Sequence, residues 1–321
     1  MDITEKLELI KRNTEEIVTE QELEHLLKTK KTPIAYCGYE LSGPMHLGHL
    51  VTITKLQDLE KAGFKTLILL ADVHSILNLK GNEKEITQTL GLWKKTIKAL
   101  KLKAQIVLGS DFQFKKEYQF DVMKLAQSTT INRGLRSMQE IARDVENATI
   151  SQLWYPLMQA ADIKHLNVDV ALGGLEQRKV HMIGKDNSSI LEHKFLAIHT
   201  PLITSLKGPG SKMSRSIPGS GISVIDSDEE IKSSIEKAYC PQKEVKDNPI
   251  LQITKLIVFP RIKKLDIKRP AKFGGNISFS DYETLENAYK EDKLHPTDLK
   301  SSLIEELKTL IAPIRKDINK N

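Results

Sequence analysis

A short β-type run that turns directly into a helix constrains this chain more than any other feature. Residues 33–37 end in a turn rich in glycine, serine and proline, and an apolar-periodic helix follows. His46 and His49 stand three residues apart at the start of that helix and therefore share one face. Such a turn attracts anions, because free N–H groups and the helix dipole face it. Two imidazoles there favour a site that holds a phosphate while charge develops on it.

A second segment, residues 212–216, supports this interpretation. By itself the histidine motif is weak evidence, because a capped helix with two surface histidines has the same sequence. Gly48, between the histidines, lets a flat ring approach the backbone. The second segment, Lys-Met-Ser-Arg-Ser, lies between the glycine- and proline-rich residues 208–210 and 218–221, which predicts a mobile loop. A lysine on such a loop is suited to gripping a leaving phosphate, although a solvated turn is the simpler reading.

From residue 33 onward the pattern alternates between short apolar runs and amphipathic helices. The expected strands are residues 34–38, 66–71, 105–108 and 168–172, and the expected helices are 47–62, 83–100, 116–126, 135–145 and 156–166. This alternation predicts right-handed crossovers and a parallel sheet. Ligands of such sheets bind beyond the carboxyl ends of the strands, and the histidine turn follows the first strand at that end.

The two ends of the chain lack this alternation. Before residue 32 we expect two helices, the first running through Leu7, Ile10 and Ile17 and the second beginning with the capping box at residues 19–22. After a capped helix that begins near residue 227, helices are expected near 248–257, 282–289 and 296–311. A basic stretch lies between the first two of these.

The helix after residue 155 carries a polar stripe. Tyr155, Gln159 and Asp162 are spaced i, i+4 and i+7, so they share one face, whereas the other faces are apolar. A polar stripe on an apolar helix faces either solvent or a cavity. The apolar flanks favour the cavity.

Composition excludes several classes of protein. The 321 residues contain two cysteines, Cys37 and Cys240, too few for a disulfide framework or a four-cysteine metal site. No apolar run reaches membrane-spanning length, and the N-terminus does not resemble a signal peptide. We therefore expect a cytoplasmic protein without a membrane partner. The net charge of +6 permits a polyanionic partner without requiring one.

The two signature segments, in this order, resemble the His-Ile-Gly-His and Lys-Met-Ser-Lys-Ser signatures of class I aminoacyl-tRNA synthetases. Further segments resemble the tyrosyl-tRNA synthetases of the archaeal and eukaryotic type; they are residues 35–36, 155–163, 173–182, 268–275 and 295–300. The resemblance implies an α/β fold, with a Rossmann-like doubly wound parallel sheet in a catalytic domain at residues 1–226. It also implies a smaller α-helical, anticodon-binding domain at residues 227–321.

The reaction implied by the resemblance has two steps, formation of an aminoacyl-adenylate from ATP and transfer of the acyl group to tRNA. His46, His49 and Lys212 are the implied catalytic residues, acting on the phosphates of ATP, which Mg²⁺ accompanies. No protein-bound metal or organic cofactor is expected. The implied ATP-binding residues are His46, Gly48, His49, Gly173, Gly174, Lys212, Ser214, Arg215 and Ser216. Arg215 departs from the family, which usually has lysine or serine there.

Selection of tyrosine follows from hydrogen bonding. A buried phenol hydroxyl needs an acceptor for its proton and a donor for its oxygen. Asp162, when ionised, can supply the acceptor; Tyr36 could be a plain core aromatic, but the resemblance implies that its hydroxyl is the donor. Phenylalanine would leave both groups unpaired, which is how tyrosyl-tRNA synthetases are known to reject it. By resemblance, Tyr155, Gln159 and Gln177 hold the α-amino end of L-tyrosine.

The resemblance also implies contacts with tRNA(Tyr). Arg136, Arg178 and Lys179 match positions that approach the first base pair of the acceptor stem. Phe273 and Asp298 match positions that stack on and hydrogen-bond the first anticodon base, which suits an unstacked RNA base. Because relatives of this type are homodimers, a homodimer is expected for this chain as well.

Three alternatives remain at this point. A tryptophanyl-tRNA synthetase shares the fold, but the donor from Tyr36 would be idle against an indole, which only donates. A small-molecule nucleotidyltransferase shares the histidine turn, but it has little use for the basic C-terminal region. A non-catalytic RNA-binding relative is the third, although His46, His49 and Lys212 are all retained.

Overall fold

The computed structural model describes residues 1–139, 141, 147–214 and 217–320, and for Phe273 only the backbone. Two compact units are present, each assembled from separate stretches of chain. The first unit consists of Met1–Ser42, Lys55–Lys94 and Leu102–Pro201, and the second of Gly43–Thr54, Lys95–Lys101 and Leu202–Asn321.

A six-stranded sheet forms the centre of the first unit. Its strands are β1 (Glu16–Val18), β2 (Ile34–Tyr39), β3 (Lys65–Leu70), β4 (Gln105–Leu108), β5 (Val170–Gly174) and β6 (Leu196–Thr200). The spatial order is β1-β6-β5-β2-β3-β4, and all neighbours are parallel except the edge pair β1 and β6. Every residue of β5 and β6 is buried, as expected for strands covered on both faces. The predicted α/β fold with a doubly wound parallel sheet is confirmed.

The strand order reverses at β2. This strand lies between β3 and β5, with Tyr36 opposite Leu67 on one side and Ala171 on the other. The chain therefore leaves β2 towards β3 and β4 first and adds β5 and β6 on the opposite side later. Sheets of this kind open a crevice beyond the carboxyl ends of the strands at the point of reversal. This rule predicts a ligand crevice beyond the carboxyl ends of β2 and β5.

The helices within the first 201 residues alternate in sequence with these strands. In chain order they are α1 (Ile3–Lys11), α2 (Glu20–Thr29), α3 (Leu47–Lys61), α4 (Asp72–Leu77), α5 (Glu83–Ala99), α6 (Lys116–Ser128), α7 (Ile131–Met138), α8 (Ile150–His165), α9 (Arg178–Asp186) and α10 (Ser188–Leu191). The capping box predicted at the start of α2 is present, with Thr19 and Glu22 bonding each other's backbone N–H. Within the described chain, no helix has both the length and the apolar character needed to cross a membrane.

The sequence-based prediction was wrong at the N-terminus and incomplete elsewhere. The first helix ends at Lys11, and Ile17 lies in β1, where it pairs with Ile198 of β6. Asn13, with a positive φ of 53°, reverses the chain between helix and strand. Strand β6 itself was not predicted, and neither was α4. The helix expected at residues 135–145 begins earlier, at Ile131, and its predicted C-terminal part falls largely outside the described residues.

The C-terminal part of the second unit is helical, as predicted, with one addition. Its elements are α11 (Asp228–Lys237), α12 (Pro249–Ile253) continued by a π-helical segment (Thr254–Val258), β7 (Leu265–Ile267), β8 (Ile277–Phe279), α13 (Tyr282–Lys290) and α14 (Pro296–Ile318). Between the helices predicted near 248–257 and 282–289 lies the antiparallel pair β7 and β8, which was not predicted. Helices α11 and α14 pack together, and Ile231, Leu299 and Leu303 are buried.

Candidate active site

The histidine turn, in the second unit, is anchored by a short antiparallel ladder. The backbone N–H of Leu47 donates to the Ile222 carbonyl at 2.9 Å, and that of Val224 donates to the Met45 carbonyl at 3.0 Å. Between these bonds His46 lies opposite Ser223. The ladder joins the turn to the segment that follows the Lys212 loop, so the two signature segments, far apart in sequence, are held by one backbone framework.

Backbone hydrogen bonds fix the protonation pattern of both histidines. The N–H of Gly48 donates to His46 Nδ1 at 3.1 Å, and the N–H of His46 donates to His49 Nδ1 at 3.2 Å. Because each Nδ1 accepts, each neutral ring carries its proton on Nε2. Burial, with the neighbouring His46 and the charge of Lys212, holds the pKa of His49 well below its usual value. His49 is therefore a neutral Nε2–H donor at physiological pH, suited to a phosphate oxygen.

Gly48 is required by the close approach of the His46 ring. A Cβ at this position would lie 2.8 Å from His46 Cε1 and 3.0 Å from its Nδ1. The two imidazole centroids are 3.8 Å apart. The sequence predicted that a flat ring approaches the backbone at residue 48, and the His46 ring of the chain itself does so. Only glycine leaves room for that ring in this position.

The Lys212 loop is tied down at its start. Lys212 is exposed, and its backbone forms an antiparallel β-bridge with that of Thr204. The N–H of Met213 donates to the Ile203 carbonyl at 2.7 Å. The N–H of Ser214 donates to Ser220 Oγ at 3.1 Å. Arg215 and Ser216, both expected to bind ATP, lie outside the described residues. Since Lys212 contributes to the lowered pKa of His49, the lysine charge acts on the histidine turn.

In the first unit, Asp162 is the centre of a buried polar cluster. The side chain is fully buried on α8, and its Oδ1 accepts from Gln113 Nε2 at 2.7 Å and from the Tyr118 hydroxyl at 2.8 Å. Its Oδ2 has no hydrogen-bond partner among the described residues and lies 3.6 Å from His74 Nε2. A buried carboxylate oxygen without a donor is costly, so this oxygen is a strong candidate to accept from a ligand.

Burial controls the protonation of this cluster. Desolvation raises the pKa of Asp162 to about 7, although the bonds from Gln113 and Tyr118 oppose the rise. Desolvation lowers the pKa of His74 to about 4, so this imidazole is neutral above that pH. Burial, with the nearby charge of Asp162, raises the pKa of Tyr36 well above its usual value. Tyr36 thus remains a protonated phenol, able to donate.

Tyr155 and Tyr36 contribute hydroxyls to the same region. Burial raises the pKa of Tyr155, and so do the charge and hydrogen bond of Glu40 and the proximity of Tyr36 and Asp162. The His74 ring meets the Tyr155 ring edge-on, with centroids 4.6 Å apart. Of the polar stripe predicted on α8, Tyr155 and Asp162 are buried, and Gln159 is partly exposed.

Gln159 and Gln177 meet at the end of β5. Gln159 Nε2 donates to Gln177 Oε1 at 3.2 Å. A Cβ on Gly173 would lie 2.8 Å from Gln177 Cβ and 3.2 Å from His181 Cε1. The bare backbone at Gly173 thus accommodates these two side chains, and Gly174 follows it as the buried last residue of β5. The nucleotide contacts expected of both glycines stay a prediction.

Sequence reasoning missed three residues that surround Asp162. His74 follows β3, and Gln113 and Tyr118 follow β4. A usable signal was present, because polar residues just beyond the carboxyl ends of parallel strands converge on one edge of the sheet. Applied to every strand and not only the first, this rule would have identified Gln113 and His74.

The residues predicted to contact the acceptor stem lie on two helices of the first unit. Arg136, on α7, is exposed, as are Arg178 and Lys179 at the start of α9. Arg178 Nε donates to both carboxylate oxygens of Glu16, at 2.9 and 2.8 Å. Lys179 Nζ donates to Gln139 Oε1 at 3.2 Å, which links α9 to the end of α7. The arrangement presents three cations at the surface, suited to phosphate.

The predicted anticodon residues lie in the second unit. Asp298 is in the first turn of α14, where the helix dipole favours a carboxylate, and it is partly exposed. The side chain of Phe273 lies outside the described part of the chain. Arg269 donates to the Gly275 carbonyl at 2.9 Å and to the Lys293 carbonyl at 2.8 Å. These bonds bring the loop that contains residue 273 to the turn before α14.

No group of three or more histidine, cysteine, aspartate or glutamate side chains is placed to hold a metal ion, as far as the described residues extend. A metal site built into the protein therefore has no candidate among them. A divalent cation that arrives on a substrate phosphate needs no such cluster.

Comparison with known proteins agrees with the geometry. The profile of the family described as tRNA synthetases class I (W and Y) matches residues 28–312. A tyrosine–tRNA ligase of Archaeoglobus fulgidus is 48% identical over 320 residues, covering 98% of both chains. One from Methanocaldococcus jannaschii is 48% identical over 313 residues, covering 97% of this chain and 99% of the relative. The crystal structure of the A. fulgidus tyrosyl-tRNA synthetase with L-tyrosine superimposes with a TM-score of 0.96, at 47% identity, over 99% of this chain and 100% of that one.

Proposed function

Since the chain belongs to the tRNA synthetases class I (W and Y), we propose that it acts as a tyrosine–tRNA ligase. In this reaction L-tyrosine and ATP give tyrosyl-adenylate and pyrophosphate, and the tyrosyl group is then transferred to the 3′-terminal adenosine of tRNA(Tyr). The relatives that share most of its length carry this activity in their names. The tryptophan alternative has no such support.

The observation that carries the proposal is the buried pair formed by Asp162 and Tyr36. Asp162 Oδ2 has no donor in the described structure, and Tyr36 is a buried, protonated phenol. A tyrosine hydroxyl donates to the first and accepts from the second, which satisfies both groups. An indole N–H only donates and itself offers the Tyr36 proton no acceptor, and phenylalanine satisfies neither group. Tyr155, Gln159 and Gln177 then hold the amino end of tyrosine.

Catalysis of the first step requires no protein nucleophile. His46 and His49 donate from Nε2 to the α-phosphate as charge develops, and Lys212 grips the β- and γ-phosphates. The ATP-binding set also includes Gly48, Gly173, Gly174, Ser214, Arg215 and Ser216. Mg²⁺ enters bound to ATP, as part of that substrate. These roles rest on the Nδ1 bonds that orient both imidazoles and on the charge of Lys212 beside His49.

We assign catalysis to residues 1–226 and anticodon binding to residues 227–321. Arg136, Arg178 and Lys179 contact the acceptor stem, and Phe273 and Asp298 contact the first anticodon base. Asp298→Ala should raise the KM for tRNA in charging and leave tyrosine-dependent pyrophosphate exchange unchanged, with the exposed Glu283→Ala as matched control. Equal losses in both assays would contradict the assignment.

A homodimer is supported by exposed apolar side chains on and beside α6. Phe114, Phe120 and Met123 are 70%, 60% and 53% exposed. Phe120 and Met123 are three residues apart and share a helix face. Large apolar side chains grouped at a surface mark an interaction site, and a two-fold axis lets the same patch serve both copies. Phe120→Asp should yield monomers in sedimentation, whereas a dimer in that variant would place the interface elsewhere.

The cytoplasm is the proposed location. Cys37 and Cys240 are both free thiols, as suits a reducing compartment. The substrates, ATP and tRNA, are found there. Fractionation of cells that express a tagged chain tests the assignment, and recovery with membranes would contradict it.

The direct test of the full activity is charging of a tRNA(Tyr) transcript. With ATP and labelled amino acid, the protein should acylate the transcript with tyrosine and not with phenylalanine or tryptophan. A tRNA(Trp) transcript serves as control. Charging of that control with tryptophan would overturn the proposal.

A further inference from the structure

A chain of hydrogen bonds runs from the amino-acid pocket to the surface of the first unit. Gln159 Nε2 lies 3.4 Å from His181 Nε2. His181 Nδ1 lies 3.0 Å from His199 Nε2, and His199 Nδ1 lies 2.9 Å from Glu16 Oε2. Glu16 in turn accepts from Arg178 Nε through both oxygens. Both histidines are buried, with exposures of 1% and 0%.

The direction of every bond follows from the Glu16 end. A carboxylate only accepts, so His199 donates to it from Nδ1. A neutral His199 then has a bare Nε2, which accepts from His181 Nδ1–H. By the same step His181 has a bare Nε2, which accepts from the Gln159 amide nitrogen. The hydrogen-bond chain therefore points one way, from Gln159 to Glu16.

Both imidazoles are neutral near pH 7, as these bond directions require. Burial, with the neighbouring His199, lowers the pKa of His181 to about 3. Burial also lowers the pKa of His199, outweighing the hydrogen bond and charge of Glu16 that raise it. The other charged groups that act on His199 are Arg178 and Glu176. The two neutral histidines thus each accept one hydrogen bond and donate the next, and neither holds a net charge.

These bond directions determine the orientation of the Gln159 side-chain amide. Its amide nitrogen donates to His181 and to Gln177 Oε1, so the amide cannot reverse without placing its oxygen against the bare nitrogen of His181. In this orientation the Gln159 amide nitrogen bonds His181 and Gln177, and the amide oxygen is the atom that can accept a hydrogen bond from a ligand. An α-ammonium group has three donors and no acceptor, so it requires oxygens from its site.

We propose that His181 and His199 are positioning residues that orient the Gln159 amide for the α-ammonium group of the amino acid, with Glu16 setting the direction. The inference rests on the proposed function, because it takes tyrosine as the ligand. Gly173 is part of the same arrangement, because a Cβ at this position would crowd both Gln177 and His181. Arg178, at the surface end, holds the Glu16 carboxylate in place.

The test removes the acceptor at the surface end and measures the effect in the pocket. In Glu16→Ala, tyrosine binding measured by calorimetry should weaken about three- to tenfold, the range for one neutral hydrogen bond. Binding of 3-(4-hydroxyphenyl)propionate, which lacks the amino group, should not change. Glu16→Gln retains an oxygen that accepts from His199 and should restore tyrosine binding to within about twofold of wild type. Glu15→Ala, an exposed neighbour, is the matched control and should bind both ligands normally.

Two results would overturn the proposal. Equal weakening of both ligands in Glu16→Ala would indicate a general structural role, and no weakening would show that the hydrogen-bond chain does not reach the pocket. A second measurement is independent of the proposed function: ¹⁵N spectra of labelled histidines should show His181 and His199 with the proton on Nδ1. A proton on Nε2 would refute the hydrogen-bond chain even if tyrosine binds, whereas wild-type protein that shows the Nδ1 forms but binds no tyrosine would refute the proposed function and, with it, the role assigned to the pair.

Discussion

The Tyr118 hydroxyl donates a 2.8 Å hydrogen bond to Asp162 Oδ1, the same oxygen that accepts from Gln113. Both of these donors therefore bond one oxygen of the carboxylate. The other oxygen, Oδ2, has no donor among the described residues. This asymmetry leaves one buried acceptor for the hydroxyl of a substrate.

Asp162→Asn should weaken selection of tyrosine. The variant loses a charge-assisted hydrogen bond, so kcat/KM for tyrosine should fall roughly 10- to 100-fold, while the low activity with phenylalanine should hardly change. Pyrophosphate exchange with each amino acid measures both values. Asp186→Asn, at a half-exposed carboxylate, is the control. An equal fall for both amino acids would show that Asp162 supports the pocket without recognising the hydroxyl.

Tyrosine binding should strengthen as the pH rises from about 6 to about 7 and then level off. The pKa of Asp162 is raised to about 7, so the empty pocket is protonated below that pH, whereas the bound phenol donates to the ionised form. The free energy of unfolding depends on pH in the opposite direction. The protonated Asp162 carboxyl stabilises the folded protein at low pH, and this contribution is lost as the pH rises through about 7. Calorimetry across this range should show the slope in wild type and none in Asp162→Asn.

His49→Ala should lower turnover and leave tyrosine affinity unchanged. A donor directed at charge that develops only in the transition state is worth about 100- to 1,000-fold in kcat. Pyrophosphate exchange gives kcat, and calorimetry gives the affinity. His25→Ala, at an exposed histidine, is the control. Normal turnover in His49→Ala would remove this histidine from the mechanism.

Gly48→Ala should lower turnover, whereas Gly91→Ala should raise stability and leave turnover unchanged. In Gly48→Ala the new Cβ would lie 2.8 Å from the His46 ring, so the ring must move and turnover should fall at least about tenfold. At Gly91, on α5, nothing lies within 4 Å of the new atom, and alanine should stabilise the helix by about 0.5–1 kcal/mol with normal activity. Thermal unfolding and exchange assays separate the two. A normal rate in Gly48→Ala would show that the His46 position is not critical.

The sequence predicted well those features that depend on local pattern. The alternation of strands and helices, the capping box at Thr19 and the burial of Tyr155 and Asp162 were all predicted correctly. Ile17 was misplaced because its strand exists only through pairing with Ile198, far away in the chain. Nothing local distinguishes such an edge strand from an apolar helix position.

The candidate site was predicted in its central residues and not in their surroundings. Each signature histidine could be named from its motif, but the bonds that orient the rings depend on the folded turn. His181 and His199 meet only because β6 lies beside β5. Roles that arise from contacts between distant segments leave no periodic signal in one sequence.

The amino-acid specificity is tested by amino-acid-dependent exchange of labelled pyrophosphate into ATP, run without RNA on each of the twenty amino acids. We expect exchange with tyrosine to be far faster than exchange with any other amino acid, because only its hydroxyl satisfies both Asp162 and Tyr36. Exchange with tryptophan in place of tyrosine, or none with any amino acid from a folded protein, would show that the pocket does not select tyrosine.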